Sequence, residues 1–439
     1  MSETSSAPAL ELVMEEQRFL AVLQGECSGF CTLTGALIGM SGSIWNKKHY
    51  FQLQIQAEAF ESLLDDYGAN RNRTFGYLRE LVGSLKGFAG AGNSLSHLVT
   101  RLDTYGLVDT LELPHFSSFE GQIANVRAFV QDAVVAMLKD LQSEMADLGA
   151  EPHLGNFSDV SFESVVGQER LPHNVDDEDP YDDGQKIAEV ASKFVLACDM
   201  LAQAGIKPIL DPAVRNTYLG RACAEEQARV FEATVHNLQS SYDTHIKNTS
   251  LEKQDPRLSQ LRGLASASLH TLEAVTALTH FVERHESEIR GAATQTRLAR
   301  LIDRSDVQER TLNRLLVSAA LLMECGRPIA QAILPQYTDA TELVVEIPDE
   351  LMLHARPAAL IVGIVSKFGT AVELEVSGQT CNAGSILELL VTVGSFPDVK
   401  IFIFRGDAAP LRDIAKLFQF GLGENGIENL PDELSYLRG

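Results

Sequence analysis

The chain is short of basic residues, of cysteine and, over most of its length, of strand-forming sequence. Lys and Arg number 36 against 60 Asp and Glu, a formal net charge of −24 over 439 residues. That balance argues against a broad nucleic-acid or anionic-membrane surface. The six cysteines, Cys27, Cys31, Cys198, Cys223, Cys325 and Cys381, are too few and too dispersed for a disulfide scaffold and fit a reducing cytoplasm. Only Cys27 and Cys31 lie close together, and without a second ligand pair they do not make a metal site. There is no run of about 18 apolar residues, so no membrane-spanning helix is expected. Met1 to Pro8 lacks the basic-then-apolar pattern of a signal peptide and reads as a frayed tail.

Apolar residues recur at three to four positions from about residue 9 to 335, which predicts an all-α region. Helices are expected over 9–24, 47–66, 74–87, 94–105 with Asn93 as cap, and from Ser117 or Ser118 to about Leu148. Glycine-rich 25–42 reads as a break, and Pro114 as the end of a connector. After an acidic stretch come further helices over 185–204, 212–241 with a bend at Gly220, 256–289, 294–303 and 306–325, with Gly326 and Pro328 as stops. The units expected are an all-α domain (1–150), an acidic loop or linker (151–183) and an all-α bundle (184–335) able to pack as one body with the first. The acidic run Asp176 to Asp183 lacks the alternating spacing of a calcium loop and reads as a solvated charge run.

Three stretches invite functional readings against plainer ones. Gly90 to His97 faintly resembles the glycine-rich Ser/Thr-His stretch of Enzyme I, yet the strands of that enzyme's α/β domain are missing, and an N-cap at Asn93 or Ser94 also explains the cluster. His97 and Arg101, one turn apart, form a candidate polar or anion-binding face. His270-x-x-Glu273 and His280-x-x-Glu283, with Glu232 and His236, reverse the Glu-x-x-His order of a di-metal bundle. A hydrated helix face is the default for them, and a histidine phosphotransfer bundle is the other alternative.

Near residue 340 the hydrophobic period changes. Leu343, Val345 and Ile347 alternate with Glu342, Val344 and Glu346 as in a strand. A turn at Pro348-Asp349-Glu350 leads to a helix with Pro357 in its first turn, where the missing N–H costs nothing. His354 then falls at or beside the N-cap, a place where histidine is a poor cap. A helix N-terminus offers unpaired N–H groups and partial positive charge to an anion. An imidazole there is a candidate nucleophile, with Ala355 and Arg356 receiving the charge of a transferred phosphoryl group.

The stretch Leu353-His354-Ala355-Arg356-Pro357-Ala358-Ala359, with Phe368, Gly378-Gln379-Thr380, Asn382 to Leu387 and Gly421-Leu422-Gly423-Glu424, resembles HPr, the histidine phosphocarrier of the sugar phosphotransferase system. The resemblance covers about 341–424 and leaves 425–439 as a tail. It implies a four-stranded antiparallel sheet with three helices on one face, phosphorylation at His354, and Arg356 as phosphate partner. It also implies a candidate regulatory Ser385 and an apolar docking patch at Ile386, Leu387 and Leu390. Ser385-Ile386-Leu387-Glu388 reads equally as a capping box. Departures are Met352 in place of a usual Gly, Gly363 and Ser366 where basic docking residues often lie, Gly384 in place of a common Lys, and one extra residue within 389–394.

The expected protein is therefore multi-domain and cytoplasmic: an all-α region followed by an α+β HPr-like domain. It takes a phosphoryl group on His354 from an Enzyme I-like protein donor and passes it to a protein acceptor, a phosphocarrier rather than a free-standing enzyme. It needs no cofactor and no metal, and it engages neither nucleic acid nor membrane. The alternative is a non-catalytic regulatory or scaffold protein whose HPr-like part only docks or senses phosphorylation. The docking patch is expected to face either a partner or the chain's own helical region.

Overall fold

The computed structural model describes residues 13–150, 183–284, 292–348, 351–424 and 426–438. The acidic run 176–182 and the positions His285 and Glu286 lie outside them. Helices come first: α1 (Glu16–Glu26), α2 (Ser28–Gly39), α3 (Lys47–Asp66), α4 (Gly76–Arg101), α5 (Leu107–Thr110) and α6 (Leu113–Asp147). Next are α7 (Asp183–Gln203), α8 (Pro212–Ala222), α9 (Glu225–His245), α10 (Ser250–Gln254), α11 (Pro256–Arg284) and α12 (Ala292–Leu301). Then α13 (Arg304–Glu309) runs through a π-helical stretch, Arg310–Leu316, into α14 (Val317–Tyr337). Among the described residues no strand precedes Ala340.

Several helix boundaries differ from those the sequence suggests, and each has a packing reason. Residues 28–39 are helical, not a break, because Phe30, Leu33 and Leu37 form a buried stripe at helical spacing. Asn93 does not cap a new helix; α4 runs unbroken through it. The glycines that looked like punctuation instead permit close approach: a Cβ on Gly92 would lie 2.3 Å from the ring of buried Tyr50 on α3. Gly326 likewise takes the ring of Phe194, 2.3 Å from where its Cβ would be. Neither Gly326 nor Pro328 stops α14, whose buried stripe Met323, Gly326, Ala330 and Ile333 carries on past them. Burying that stripe outweighs an interior proline's cost of roughly 3 kcal/mol. Pro114 opens α6 rather than closing a connector. The predicted bend at Gly220 is a full break at Cys223–Ala224 between α8 and α9.

The stretch 304–337 is long and apolar enough by composition to cross a membrane. Its apolar residues Leu312, Leu315, Leu316, Ala319, Leu322 and Met323 are buried in the helical core. α4 and α11 pack along their lengths, with Phe88 and Phe281 edge-to-face at 4.9 Å, so helices from both sides of residues 151–182 share one core.

A second, separate core begins at Ile347. β1 (Ala340–Glu346), β2 (Val372–Val376), β3 (Gln379–Asn382) and β4 (Ile401–Asp407) make an antiparallel sheet in the order β1-β4-β2-β3. Phe404 sits opposite both Leu343 and Leu374, and Phe402 opposite Val345, all turned to one face. That face is covered by α15 (Ala355–Phe368), α16 (Ile386–Ser395) and α17 (Ala408–Gln419). On the other face Arg405 lies across from Glu342 and bonds it at 2.8 Å, and bonds Glu375 at 2.5 Å. Opposite charges across strands are the sheet's counterpart of helical i,i+4 pairs.

Residues 426–438 are no loose tail. Leu430 and Leu434 are buried in this second core, Tyr436 donates to Asp413 at 2.7 Å, and Lys367 lies 3.5 Å over the Tyr436 ring. The helical region and the sheet region meet at the C-terminal end of α15. Gln185 donates to the Phe368 carbonyl at 3.3 Å, and the Ala371 N–H donates to Ser192 Oγ at 3.1 Å. Gly369 is left-handed at φ +66°, and its missing Cβ leaves room for Glu189 of α7.

Candidate functional site

α15 begins where the chain leaves the turn after β1. His354 is its N-cap residue, extended at φ −109° and ψ −166°, and its carbonyl accepts the first helical bond from Ala358 at 3.0 Å. Pro357 sits in the first turn and is buried. The side chain of His354 caps as well: Nδ1 accepts from the Arg356 N–H at 3.4 Å. The ring is half exposed, at 51 % of its free surface. The N–H of Ala355 is one of the first-turn donors that an α-helix cannot satisfy internally.

The other ring nitrogen has a partner that sequence reasoning did not single out. Glu424, 70 positions downstream, places Oε1 2.9 Å from His354 Nε2 and Oε2 3.9 Å from the Arg356 guanidinium. It follows the short 3-10 turn Gly421–Gly423, where Gly421, Leu422 and Gly423 all have positive φ. That turn brings the carboxylate back over the start of α15. The only sequence signal for it is the Gly-Leu-Gly-Glu stretch, whose individual side chains carry no hint of a role.

The ring nitrogens are thus differentiated. Nδ1 accepts from the Arg356 N–H, so its lone pair faces the helix end and the ring proton of the neutral form sits on Nε2, the side toward the Glu424 carboxylate. Such an imidazole can attack an electrophilic phosphorus through Nδ1, and the product would rest on helix N–H groups and beside Arg356.

Ser385 is the N-cap of α16, its Oγ accepting from the Glu388 N–H at 3.4 Å. The capping box is only half formed, since Glu388 accepts instead from the Asn382 N–H at 3.0 Å. Ile386 and Leu387 are exposed, Leu387 at 70 %, and are not covered by the helical region. Val391, one turn on from Leu387, and Met352, on the same cavity lining as Leu390, are also exposed and were not anticipated. Leu390 parts company with them. It is half-buried and walls a cavity of about 250 Å³ with Leu353, Val393 and Phe396, on whose lining His354 and Lys400 also lie. Gly363, one position without the expected basic residue, lies under Leu437: a Cβ there would come within 2.9 Å of it.

The decoy motifs separate. Cys27 and Cys31 are buried, and no group of three metal-competent side chains occurs among the described residues. His280 pairs with Glu225 of α9 at 2.5 Å, not with Glu283, which accepts from the Glu225 N–H at 2.6 Å. His270 pairs with Glu273 at 3.0 Å.

No solved structure matches the chain, and no family model matches the helical region. Residues 341–418 match the family model described as the PTS HPr component phosphorylation site, and together with the sheet order and the three covering helices this makes the C-terminal region an HPr-type domain.

Proposed function

We propose that this protein is a phosphocarrier in which His354 receives a phosphoryl group from an Enzyme I-like protein donor and hands it to a protein acceptor. The observation that carries the reading is the pair of contacts on one exposed ring: Arg356 N–H at Nδ1 and the Glu424 carboxylate at Nε2. In the forward step the Nδ1 lone pair forms the new nitrogen–phosphorus bond. The donor's bond to phosphorus breaks, and its electron pair leaves with the donor. The attack leaves the ring with one positive charge, which is lost when the Nε2 proton passes to solvent beside Glu424, so the phosphorylated ring rests neutral. Ala355 and Arg356 stabilise the added oxyanion by backbone N–H groups and a fixed guanidinium.

Ile386 and Leu387, with Met352 and Val391, form the docking surface for donor and acceptor in this reading. Leu390 shapes the adjoining cavity. Ser385 is a helix cap in this reading, and its phosphorylation would add charge beside Glu388. The chain acts in the cytoplasm as two bodies: residues 1–150 and 184–335 joined as one helical unit across 151–183, and an HPr-type unit from 341 that takes in 426–438. The decisive test is intact-mass spectrometry after incubation with phosphoenolpyruvate and a purified Enzyme I-type donor. One phosphoryl group should appear on wild type and none on His354→Ala.

A second reading, a regulatory or scaffold protein whose HPr-type unit docks without carrying phosphate, draws on a different observation. Leu437 covers Gly363, where docking bases are expected, and the chain is strongly acidic. It predicts an unmodified His354 under the same incubation.

A further inference from the structure

A cluster in the helical region has no part in this chemistry. Lys47 is the first residue of α3, His97 and Arg101 lie one turn apart near the end of α4, and His270 comes from α11. Lys47 Nζ donates to His97 Nδ1 at 2.8 Å. The His97 and His270 rings meet edge-to-face with centroids 4.4 Å apart. His270 Nδ1 is bound to Glu273 at 3.0 Å, and Tyr105 stacks on the far side of this group at 6.4 Å.

Two features of this cluster are costly as they stand. First, a lysine at the first position of a helix faces the positive end of the macrodipole, the unfavourable arrangement. Second, neither Lys47 nor Arg101 has a carboxylate partner among the described residues, in a chain where acids outnumber bases by 24. The only acid in the group, Glu273, is engaged: burial would raise its carboxyl, but the hydrogen bond from His270 wins and holds it below the usual range. His97 is correspondingly kept neutral, pushed down to about 4 by burial, by His270 and by the two cations.

From this juxtaposition we propose that Lys47, His97, Arg101 and His270 form a binding site for a phosphoryl oxyanion, such as the phosphate group of a small phosphorylated metabolite. Two cations with two imidazoles, on three helices of a shared core, match the charge of a dianion better than that of a carboxylate. With Lys47 on Nδ1, neutral His97 keeps its proton on Nε2 and remains a donor. An arriving anion draws Lys47 and Arg101 toward itself, relieves their repulsion of His97 and favours its protonation. Binding therefore takes up a proton and strengthens as the pH falls. The charged and titratable groups facing His97 are Lys47, Arg101, His270 and Glu273, so this sign rests on the whole surround.

The site is independent of His354, and the test keeps the two apart. The probe is inorganic phosphate titrated into the full chain at constant ionic strength, read by the histidine ring resonances in NMR. Saturable shifts of the His97 and His270 signals are expected, and His354→Ala should retain them. Lys47→Gln and Arg101→Gln change exposed side chains and should leave thermal melting unchanged. Each should weaken phosphate binding by about tenfold, the scale of one charge-assisted hydrogen bond. Acetate at the same concentration should leave the two signals in place. No saturable shift, undiminished binding in the double variant, or equal shifts with acetate would each overturn the proposal.

Discussion

Glu424 offers the sharpest test of how the His354 site works, because its charge should affect the free and phosphorylated forms oppositely. In the free form its carboxylate lies 2.9 Å from Nε2 and 3.9 Å from the Arg356 guanidinium. In the phosphorylated form the same carboxylate faces a group carrying about −1.5 to −2 charges. The ring's width and the 2.9 Å contact put phosphorus roughly 6 to 7 Å from the carboxylate. At the high effective dielectric of a half-exposed site, the repulsion comes to about 1–2 kcal/mol. Glu424→Gln removes the charge but keeps an oxygen able to accept from Nε2–H. It should shift the equilibrium toward the phosphorylated form by roughly five- to thirtyfold, with little change in transfer rate. Glu424→Ala should give a similar equilibrium shift with slower transfer, since the ring loses the side chain that lies against its Nε2 side. The assay is the phosphorylated fraction by intact mass at a fixed ratio of phosphoenolpyruvate to pyruvate, with the time course for the rate. If both variants leave the equilibrium unmoved, the carboxylate does not share the phosphate's field and the assigned geometry is wrong.

Other outcomes follow from the packing and the charges. Leu387→Asp should leave thermal stability within about 0.5 kcal/mol, because the side chain is exposed, yet slow phosphorylation by the donor by roughly fivefold or more in a stopped-time mass assay. Gly326→Ala should destabilise the helical unit by about 1–3 kcal/mol, read by calorimetry, because the new methyl group collides with Phe194. His97 is held down to about 4 when folded and takes its proton near 6.5 when unfolded, so between those values the unfolded chain binds more protons. Its contribution is therefore complete above about pH 6.5 and is lost as the pH falls toward 4. The urea midpoint should drop over that window, and His97→Gln should remove part of the drop.

The HPr-type domain was legible because its signals are local. Alternation in β1, the proline in the first turn of α15 and the Ser385 cap each depend on neighbours a few residues away. Glu424 was not legible, since nothing in a Gly-Leu-Gly-Glu stretch says that three positive-φ residues will turn its last side chain back toward His354. The helical region failed in the same way. Gly92 and Gly326 read as punctuation in one dimension, but each is a contact in three, defined by Tyr50 and Phe194 from distant segments. The 426–438 stretch looked like a tail because it lies beyond the resemblance, and its burial depends on a groove made by α15 and α17.

α15 is held at one end and free at the other, and this bears on who could read a change at His354. Its 14 residues span roughly 21 Å, from His354 at the open end to the carbonyl of Phe368 held by Gln185. A phosphoryl group at the first end acts on the half-charge at the second with about 0.2 kcal/mol in water, before salt reduces it further. Such an energy cannot move a two-state equilibrium, which takes several kcal/mol to reverse. In the proposed phosphocarrier reading, a phosphoryl group on His354 is thus addressed outward, to a protein that touches the exposed end. On that reading the helical unit travels with the HPr-type unit as a body whose own grip on it is indifferent to phosphorylation at His354.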